Sequence, residues 1–378
     1  MRAIAIVDGE HYPDVVRDAL AELPYEFVGV ILIGGTEKLR GEPDYGVPIV
    51  EEPGDASIAV DLSDEPVLDP QTRLALASRF LALGMSYVGA DFRFDPPTFH
   101  PFDLPSVAVI GTGKRVGKTA VTAHIARLLS RDREVVVVAM GRGGPAEPEL
   151  VTAPPTLDDL IALSRAGRHA ASDHLEVAAL AGVQTVGCRR AGGGMAGAPF
   201  SSNVLEGARI AAALEPDVVV FDGSGAAIPP IATSARVLVA HDLSGLNRYR
   251  ALVSNLLMTM SDELAEQEGA LRFQLRLRPF ERLEGRVAVF TAGPASTSHL
   301  DAEIVHVSQN LALRDVLRDE LAGLDADTYL IELKAAAIDV VAEHAVAHGA
   351  RVVLADNEVV APGLDEAILA LVPQGVRA

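Results

Sequence analysis

Val107-Ala-Val-Ile-Gly-Thr-Gly-Lys-Arg-Val-Gly-Lys-Thr-Ala120 is the stretch from which the fold follows. Four apolar residues lead into a glycine-rich turn, and Gly117-Lys118-Thr119 precedes a run to Leu129 that is typical of a helix. A strand, a glycine loop and a helix N-terminus form a phosphate cradle, because backbone N–H groups and the helix dipole face the anion. We expect the Lys118 ammonium to reach the β- and γ-phosphates of a nucleotide, and the Thr119 hydroxyl to hold Mg²⁺.

This loop differs by one residue from the usual P-loop spacing. The usual motif has a glycine five residues before Gly117, where this chain has Thr112 between two other glycines. The longer spacing resembles dethiobiotin synthetase, in the branch of P-loop proteins that also includes the MinD-like ATPases. The signature lysine of the MinD-like proteins would fall at Gly113. The residues predicted to bind the nucleotide are Gly111, Thr112, Gly113, Lys114, Arg115, Val116, Gly117, Lys118, Thr119 and Ala120.

Lysine is rare in this chain. Of 32 lysine and arginine residues, only Lys38, Lys114, Lys118 and Lys334 are lysines. A compact ammonium binds differently from a planar guanidinium, so a retained lysine indicates a place that needs a point charge. Lys114 and Lys118 are therefore predicted to be catalytic, and Lys38 and Lys334 are candidates for contact with a substrate anion.

Composition and charge limit the class of protein. A chain of 378 residues with 49% hydrophobic residues is expected to form two globular domains. The net charge of -20 argues against nucleic acid and anionic membrane as partners. The single cysteine, Cys188, excludes an intrachain disulfide and fits a reducing cytoplasm. No signal-peptide pattern or long uncharged apolar run is present, so we predict a cytoplasmic protein.

The first hundred residues predict a parallel, Rossmann-like α/β domain, because strand and helix patterns alternate. Polar clusters follow the first and second strands, and the carboxyl ends of parallel strands are where ligands bind. Asp8, His11 and Lys38 are therefore candidates for binding a small anionic substrate. The predicted strands cover residues 3–7, 27–33, 58–61 and 87–90, and the predicted helices begin at Pro13 and Leu74.

Closely spaced prolines at residues 96–105 indicate a stiff connector between domains. We place the boundary near residue 104, which gives an N-terminal α/β domain over 1–104. The P-loop ATPase or ligase domain, with a mostly parallel sheet, is then expected over 105–378.

Acidic and basic residues follow the next strands of the P-loop domain. Arg142 lies between glycines after a β-branched strand, which suits recognition of a phosphate group. Glu147 or Glu149 is a candidate acidic group for Mg²⁺ or for the attacking group. Asp222 ends the strand 217–222 and precedes Gly-Ser-Gly, which fits the second acidic motif of P-loop enzymes. We therefore predict Thr119, Asp222 and Glu147 as metal ligands, and Arg142 and Asp222 as catalytic.

Two further regions carry predictions. Residues 188–194, in which Arg189 and Arg190 precede three glycines, predict an anion-binding loop. Residues 244–260 are predicted to be mostly helical. In the last third, Lys334 ends a predicted strand and is placed to reach a substrate anion.

Five motifs together resemble the cyclic 2,3-diphosphoglycerate synthetase family. They are Asp8-Gly-Glu-His-Tyr12, Ile33-Gly-Gly-Thr-Glu-Lys38, the P-loop, Met140-Gly-Arg-Gly-Gly-Pro145 and Phe221-Asp-Gly-Ser-Gly225. The resemblance spans nearly the whole chain, which is rather short for this family. It implies that ATP, with Mg²⁺, drives closure of 2,3-bisphosphoglycerate to its cyclic pyrophosphate with release of ADP and phosphate.

That chemistry requires cations, because two phosphates of one substrate are forced together. The candidate clamp is Arg142, Arg189, Arg190, Lys114 and Arg115. Analogy with related P-loop proteins implies a homodimer. Two alternatives remain: another P-loop ligase or kinase acting on a small anionic substrate, and a MinD-like nucleotide-switch ATPase that binds protein partners. Substrate-dependent release of ADP favours an enzyme, whereas slow hydrolysis that ignores small molecules favours the switch.

Overall fold

A computed structural model describes residues 1–34, 39, 41, 43–165, 173–333 and 338–372. Two of the predicted substrate ligands, Lys38 and Lys334, lie outside these residues. The chain divides into two compact units. The first, here the N-terminal unit, comprises Met1–Thr98, Met195–Ala198 and Asp242–Ser254; all other residues form the second, here the P-loop unit.

The N-terminal unit is built on a mostly parallel sheet in the order β2-β1-β3-β4-β5, in which only the last pairing is antiparallel among the described residues. This confirms the α/β class that the alternating pattern predicts. The strands are β1 (Arg2–Asp8), β2 (Glu26–Ile33), β3 (Ile58–Asp61), β4 (Ser86–Val88) and β5 (Arg93–Phe94).

Helices cover this sheet because their apolar residues face it. In α1 (Pro13–Glu22), Val16 and Leu20 are buried and pack with Ala5 and Val7 of β1. In α2 (Pro70–Ala82), the Asp69 carboxylate accepts a hydrogen bond from the Thr72 N–H at 2.8 Å and so caps the helix.

The P-loop unit contains a larger sheet, here the P-loop sheet, in the order β10-β9-β7-β11-β6-β12-β13-β14, with β8 paired to β9. Its central strands are buried on both faces and are accordingly almost entirely apolar. The strands are β6 (Ser106–Gly111), β7 (Val135–Gly141), β8 (Glu149–Val151), β9 (Gln184–Ala191), β10 (Ser201–Ser202), β11 (Val218–Asp222), β12 (Ala235–Ala240), β13 (Leu256–Thr259) and β14 (Leu271–Arg272).

A separate sheet follows in the last third of the chain, here the C-terminal sheet, in the order β15-β19-β18-β16-β17. β15 runs antiparallel to β19, and the other pairings are parallel. The strands are β15 (Gln274–Pro279), β16 (Arg286–Phe290), β17 (Glu303–Ser308), β18 (Thr328–Glu332) and β19 (Arg351–Val360). The region 105–378 therefore carries two sheets, and its description as one domain stays a prediction.

One helix lies in the core between these two sheets. In α3 (Lys118–Leu129), residues on every face are buried, which is the pattern of a helix covered on all sides. Its apolar residues belong to one hydrophobic cluster that contains Val109 and Val220 of the P-loop sheet and Phe290 and Ile331 of the C-terminal sheet. The burial of α3 therefore holds the glycine-rich loop at its start in a fixed position.

The remaining described helices cover the sheets and connect their strands. They are α4 (Leu157–Arg165), α5 (Asp173–Ala181), α6 (Val204–Ala213), α7 (Asn247–Leu252), α8 (Asp262–Glu268), α9 (Arg314–Leu321), α10 (Ile338–Ala347) and α11 (Leu364–Leu371). Within the described ranges, no helix has the length and apolar character needed to cross a membrane.

The prediction of a mostly helical segment over 244–260 is wrong. Only α7 is helical, and it ends before Ser254, whose hydroxyl donates to the Arg250 carbonyl at 2.7 Å. The apolar run Leu256–Thr259 then forms β13, which pairs in parallel with β12. A short apolar run does not by itself distinguish strand from helix, and here an open sheet edge decides in favour of the strand.

We predict that Cys188 is chemically inert in the folded protein. Its thiol is buried, and burial, together with the nearby Glu206 charge, raises its pKa to about 12. At pH 8 only about one molecule in 10,000 would carry the reactive thiolate. Titration with a chromogenic disulfide reagent should therefore detect no fast thiol in native protein and one thiol per chain in guanidinium chloride. Rapid labelling of the native protein would show that β9 is not packed as described.

Candidate nucleotide and phosphate site

The glycine-rich loop connects the end of β6 to the start of α3, as predicted. Gly117 precedes the helix with φ +93°, a left-handed conformation that L-residues with a Cβ rarely adopt. A Cβ atom added at Gly117 would also lie 3.0 Å from the Phe273 ring. Only glycine satisfies both constraints, so the Gly-Lys-Thr triplet begins the helix in the geometry that a phosphate-binding loop requires.

Thr112 explains the unusual spacing of the loop. Its backbone N–H donates to the Val239 carbonyl at 3.2 Å, and its hydroxyl oxygen accepts from the His241 N–H at 3.0 Å. Both partners lie at the end of β12, which is the parallel neighbour of β6. The residue that replaces the usual glycine therefore ties the loop to the adjacent strand.

A buried ion pair lies directly beneath the loop. The Lys118 Nζ is 2.6 Å from Asp222 Oδ1, and the Thr122 hydroxyl donates to the same oxygen at 2.8 Å. Asp222 is the last residue of β11 and is only 1% exposed, whereas Lys118 is 10% exposed. The two strongest sequence signals are thus in direct contact.

A cavity of about 270 Å³ opens above this pair. It is lined by the loop from Gly113 to Ala120, and by Arg142, which follows β7. Ser224 and Gly225, from the turn after Asp222, also line it. Backbone N–H groups, two lysines and two arginines thus lie at or near one opening, an arrangement that suits a polyphosphate anion.

The prediction of a loop over residues 188–194 is wrong for residues 188–191. Cys188 to Ala191 continue β9, which pairs with β7 on one side and with β10 and β8 on the other. Side chains alternate along a strand, so Arg189 and Arg190 point to opposite faces of the sheet. The Arg190 guanidinium donates to the Ser224 carbonyl at 2.8 Å and to the Gly192 carbonyl at 2.5 Å. It therefore supports the turn that follows Asp222.

The two acidic candidates after β7 lie apart from this cavity. Glu147 is exposed, and Glu149 begins β8 opposite Gly187 of β9. Neither of these two described residues lines the cavity. The Thr119 hydroxyl and the Asp222 carboxylate provide hard oxygen donors, the type that Mg²⁺ prefers.

The polar cluster at the end of β1 forms a local network in the N-terminal unit. Asp8 Oδ1 accepts from His11 Nδ1 at 2.7 Å, and Asp8 Oδ2 accepts from the Asp64 N–H at 2.7 Å. Burial alone would raise the pKa of Asp8, but hydrogen bonds from Asp64 and His11 outweigh burial and hold the pKa below its usual range. His11 Nε2 lies 3.5 Å from Asp64 Oδ2. The Asp8 carboxylate therefore orients His11.

Several residues of the site were not identified from the sequence. Thr122 lies one helical turn after Thr119, which places both on one face of α3 and was an available signal. Glu176 of α5 lines the cavity, and nothing in its sequence context indicates this. Leu275 and Asn357 come from β15 and β19 of the C-terminal sheet, far along the chain from the loop.

Together these features define a P-loop nucleotide-binding protein with an added N-terminal α/β unit. Its sequence matches three domain models of one family: "Cyclic 2,3-diphosphoglycerate synthetase, N-terminal domain" at residues 2–95, "P-loop domain" at 106–271 and "C-terminal domain" at 286–358. The chain belongs to the cyclic 2,3-diphosphoglycerate synthetase family, as the five motifs predict.

Curated relatives named cyclic 2,3-diphosphoglycerate synthetase match along nearly their full length. The protein from Rubrobacter xylanophilus is 45% identical, covering 98% of this chain and 97% of the relative. The protein from Pyrococcus furiosus is 38% identical, with 94% of each covered. The first alignment runs over 428 positions against 378 residues here, so that relative has internal segments without a counterpart in this chain.

A more distant structural similarity is to the "apo" form of LpxK from Aquifex aeolicus in complex with ATP. It has a TM-score of 0.41 and 15% identity, and covers 73% of this chain and 91% of LpxK. This level of similarity carries no inference about function.

We predict that Gly117→Ala destabilises the protein and weakens nucleotide binding. The left-handed backbone and the contact with Phe273 should together lower the free energy of unfolding by about 2 kcal/mol. Gly113→Ala is the matched control, because no described atom lies within 4 Å of its added Cβ and its φ is not left-handed. Its unfolding free energy should change by less than about 0.5 kcal/mol. Equal urea midpoints for the two variants would contradict the loop geometry.

Proposed function

We propose that this protein converts 2,3-bisphosphoglycerate to cyclic 2,3-bisphosphoglycerate, using ATP and releasing ADP and phosphate. The observation that carries this proposal is the contact between Lys118 and Asp222 at a cavity of about 270 Å³ lined by the glycine-rich loop, in a chain of this family. The cavity walls supply the positive charge that a polyphosphate needs in a protein with net charge -20.

The proposed path has two phosphoryl transfers, and atoms balance at each. An oxygen of one substrate phosphate attacks the γ-phosphorus of ATP in line, and the bond to ADP breaks. An oxygen of the second substrate phosphate then attacks the inner phosphorus of the new pyrophosphoryl group and expels inorganic phosphate. Both nucleophiles are already ionised near neutral pH, so the path needs no general base.

Lys118 is the residue placed to stabilise the transferred group. In this structure its ammonium is engaged by the Asp222 carboxylate at the base of the cavity. An incoming triphosphate offers several anionic oxygens at the helix N-terminus and would compete for that ammonium. Lys114, Arg115 and Arg142 lie around the opening and would neutralise the two phosphates of the substrate as they approach each other.

The Thr119 hydroxyl and the Asp222 carboxylate are the residues proposed to hold Mg²⁺. Magnesium is usually bound by one or two protein oxygens together with phosphates and waters, which this pair of donors can supply. When bound, the ion would supply positive charge that stabilises the phosphoryl group during its transfer. Glu147 as a further ligand stays a prediction.

Substrate binding by Asp8, His11, Arg189 and Arg190 remains part of the proposal. So do the predicted cytoplasmic location, the homodimer, the absence of nucleic-acid partners and the domain boundary near 104. Support for the boundary comes from the separate sheet of the N-terminal unit and from family matches that end at 95 and resume at 106.

We predict that Lys118→Ala abolishes substrate-dependent turnover. Loss of the ammonium at the transferred phosphoryl group should lower kcat about 1,000-fold. The measurement is ADP release with and without 2,3-bisphosphoglycerate, and circular dichroism should show an intact fold. In wild type, ADP release should require the substrate.

Arg131→Ala is the control, because Arg131 lies just beyond the C-terminal end of α3, is 71% exposed, and is 3.8 Å from Asp365. Its ADP release should equal that of wild type. Full activity of the Lys118 variant would refute the P-loop assignment. Wild-type hydrolysis that is unaffected by substrate would instead favour the nucleotide-switch alternative.

A further inference from the structure

Three parts of the chain line the P-loop cavity. The first is the glycine-rich loop with the first turn of α3, and the second is α5, through Glu176 and Leu180. The third is the antiparallel pair β15 and β19, through Leu275 and Asn357. In-line transfer needs the reacting phosphates to be aligned by the whole cavity, and a displacement of about 1 Å can slow such a step about 100-fold. The spacing of these three segments therefore matters for the proposed reaction.

A polar cluster outside the cavity joins the three segments. The Arg127 Nη1 group donates to the Leu180 carbonyl at 2.7 Å and to Asp356 Oδ2 at 3.0 Å. Arg127 lies on α3, about 14 Å along the helix axis from Lys118. Leu180 is in the last turn of α5, and Asp356 directly precedes Asn357 in β19. One guanidinium nitrogen thus binds two of the segments, while its own helix belongs to the third.

The Asp356 carboxylate is held in one orientation. Arg278 lies directly opposite it in the pairing of β15 with β19, and donates from Nε to Oδ1 at 3.0 Å and from Nη2 to Oδ2 at 2.7 Å. Such a two-point contact fixes the plane of a carboxylate as well as its distance. Asp356 is 2% exposed, and it meets Arg127 from this fixed position. We call Arg127, Asp356 and Arg278 the α3 clamp; none of these three described residues lines the P-loop cavity.

The α3 clamp adds direction to contacts that are otherwise apolar. α3, α5 and β19 share one hydrophobic cluster, which includes Ile125, Val177 and Val359. Apolar burial is non-directional, whereas hydrogen bonds between charged groups fix both distance and angle. Burial lowers the pKa of the Arg127 guanidinium, and the Asp356 charge opposes that shift. A largely buried cation that lost this carboxylate would draw in water or move, and the register of the three segments would change.

We propose that Arg127 and Asp356 are positioning residues for phosphoryl transfer, because their shared hydrogen bonds keep the segments that line the P-loop cavity in register with the start of α3. This role rests on the proposed function for the reaction that is measured. The loop and the start of α3 form one continuous segment, so binding of nucleotide phosphates should survive loss of the clamp. Alignment of the substrate depends on all three segments, so the transfer step should slow.

Asp356→Asn and Arg127→Met test the proposal. The first keeps the shape of the carboxylate but removes its charge, and the second keeps an extended side chain but removes its donors. In each variant kcat for ADP release with 2,3-bisphosphoglycerate should fall about tenfold or more, while KM for ATP changes by less than about twofold. Arg127→Lys retains an ammonium that can donate to both oxygens, so its kcat should stay within about threefold of wild type.

Three controls separate positioning from folding. Calorimetric titration with ATP counts intact sites, so that kcat is expressed per site, and urea unfolding measures stability. Arg127→Met combined with Asp356→Asn should lose less than about twofold beyond either single variant, because both changes break the same clamp. Arg276→Met is the matched control. Arg276 is 54% exposed on the same strand as Arg278 and pairs with Glu358 at 3.0 Å, and its variant should release ADP as wild type does.

A purely structural role predicts a different pattern, with lower urea midpoints and fewer ATP-binding sites but unchanged kcat per site. That pattern would overturn the proposal, as would equal losses in Arg127→Lys and Arg127→Met or a comparable loss in Arg276→Met. Failure of the proposed function would be visible in wild type, which would then form no cyclic product. Failure of the positioning role would be visible only in the variants, whose kcat per site would match that of a wild type that does form the product.

Discussion

The left-handed turn at Gly117 is the constraint on which the phosphate site depends. With φ +93° and the Phe273 ring 3.0 Å from the position of a Cβ, this residue must be glycine for α3 to begin where it does. α3 is itself buried between two sheets, so its start cannot shift without disturbing the core. The phosphate-binding loop is thus held at the start of a helix that is buried in the core of the P-loop unit.

The contact between Lys118 and Asp222 places the charged groups proposed for phosphoryl transfer at the start of this buried helix. A buried carboxylate needs a cation or hydrogen-bond donors, and Asp222 has Lys118 and Thr122. With a triphosphate and its metal ion bound, the Lys118 ammonium would pair with phosphate and the Asp222 carboxylate would pair with the metal ion. Around this centre, Lys114, Arg115 and Arg142 line the cavity together with Lys118.

The α/β class, the loop, Arg142 and Asp222 were predictable because each depends on a local pattern: a buried strand, then glycine or a charged residue. The segment that holds Arg189 and Arg190 was predicted as a loop because three glycines follow it, whereas pairing with β7 and β10 extends the strand. Leu275 and Asn357 had no local signal. They reach the site through the packing of a second sheet against α3, which local patterns do not reveal.

The most direct test of the account is phosphorus NMR of the purified protein with Mg-ATP and 2,3-bisphosphoglycerate. The account predicts a new signal in the pyrophosphate region that arises from substrate phosphorus and grows in step with ADP and free phosphate. If ATP is left unchanged, or is hydrolysed at the same rate without 2,3-bisphosphoglycerate and no such signal appears, the cyclising reaction is contradicted.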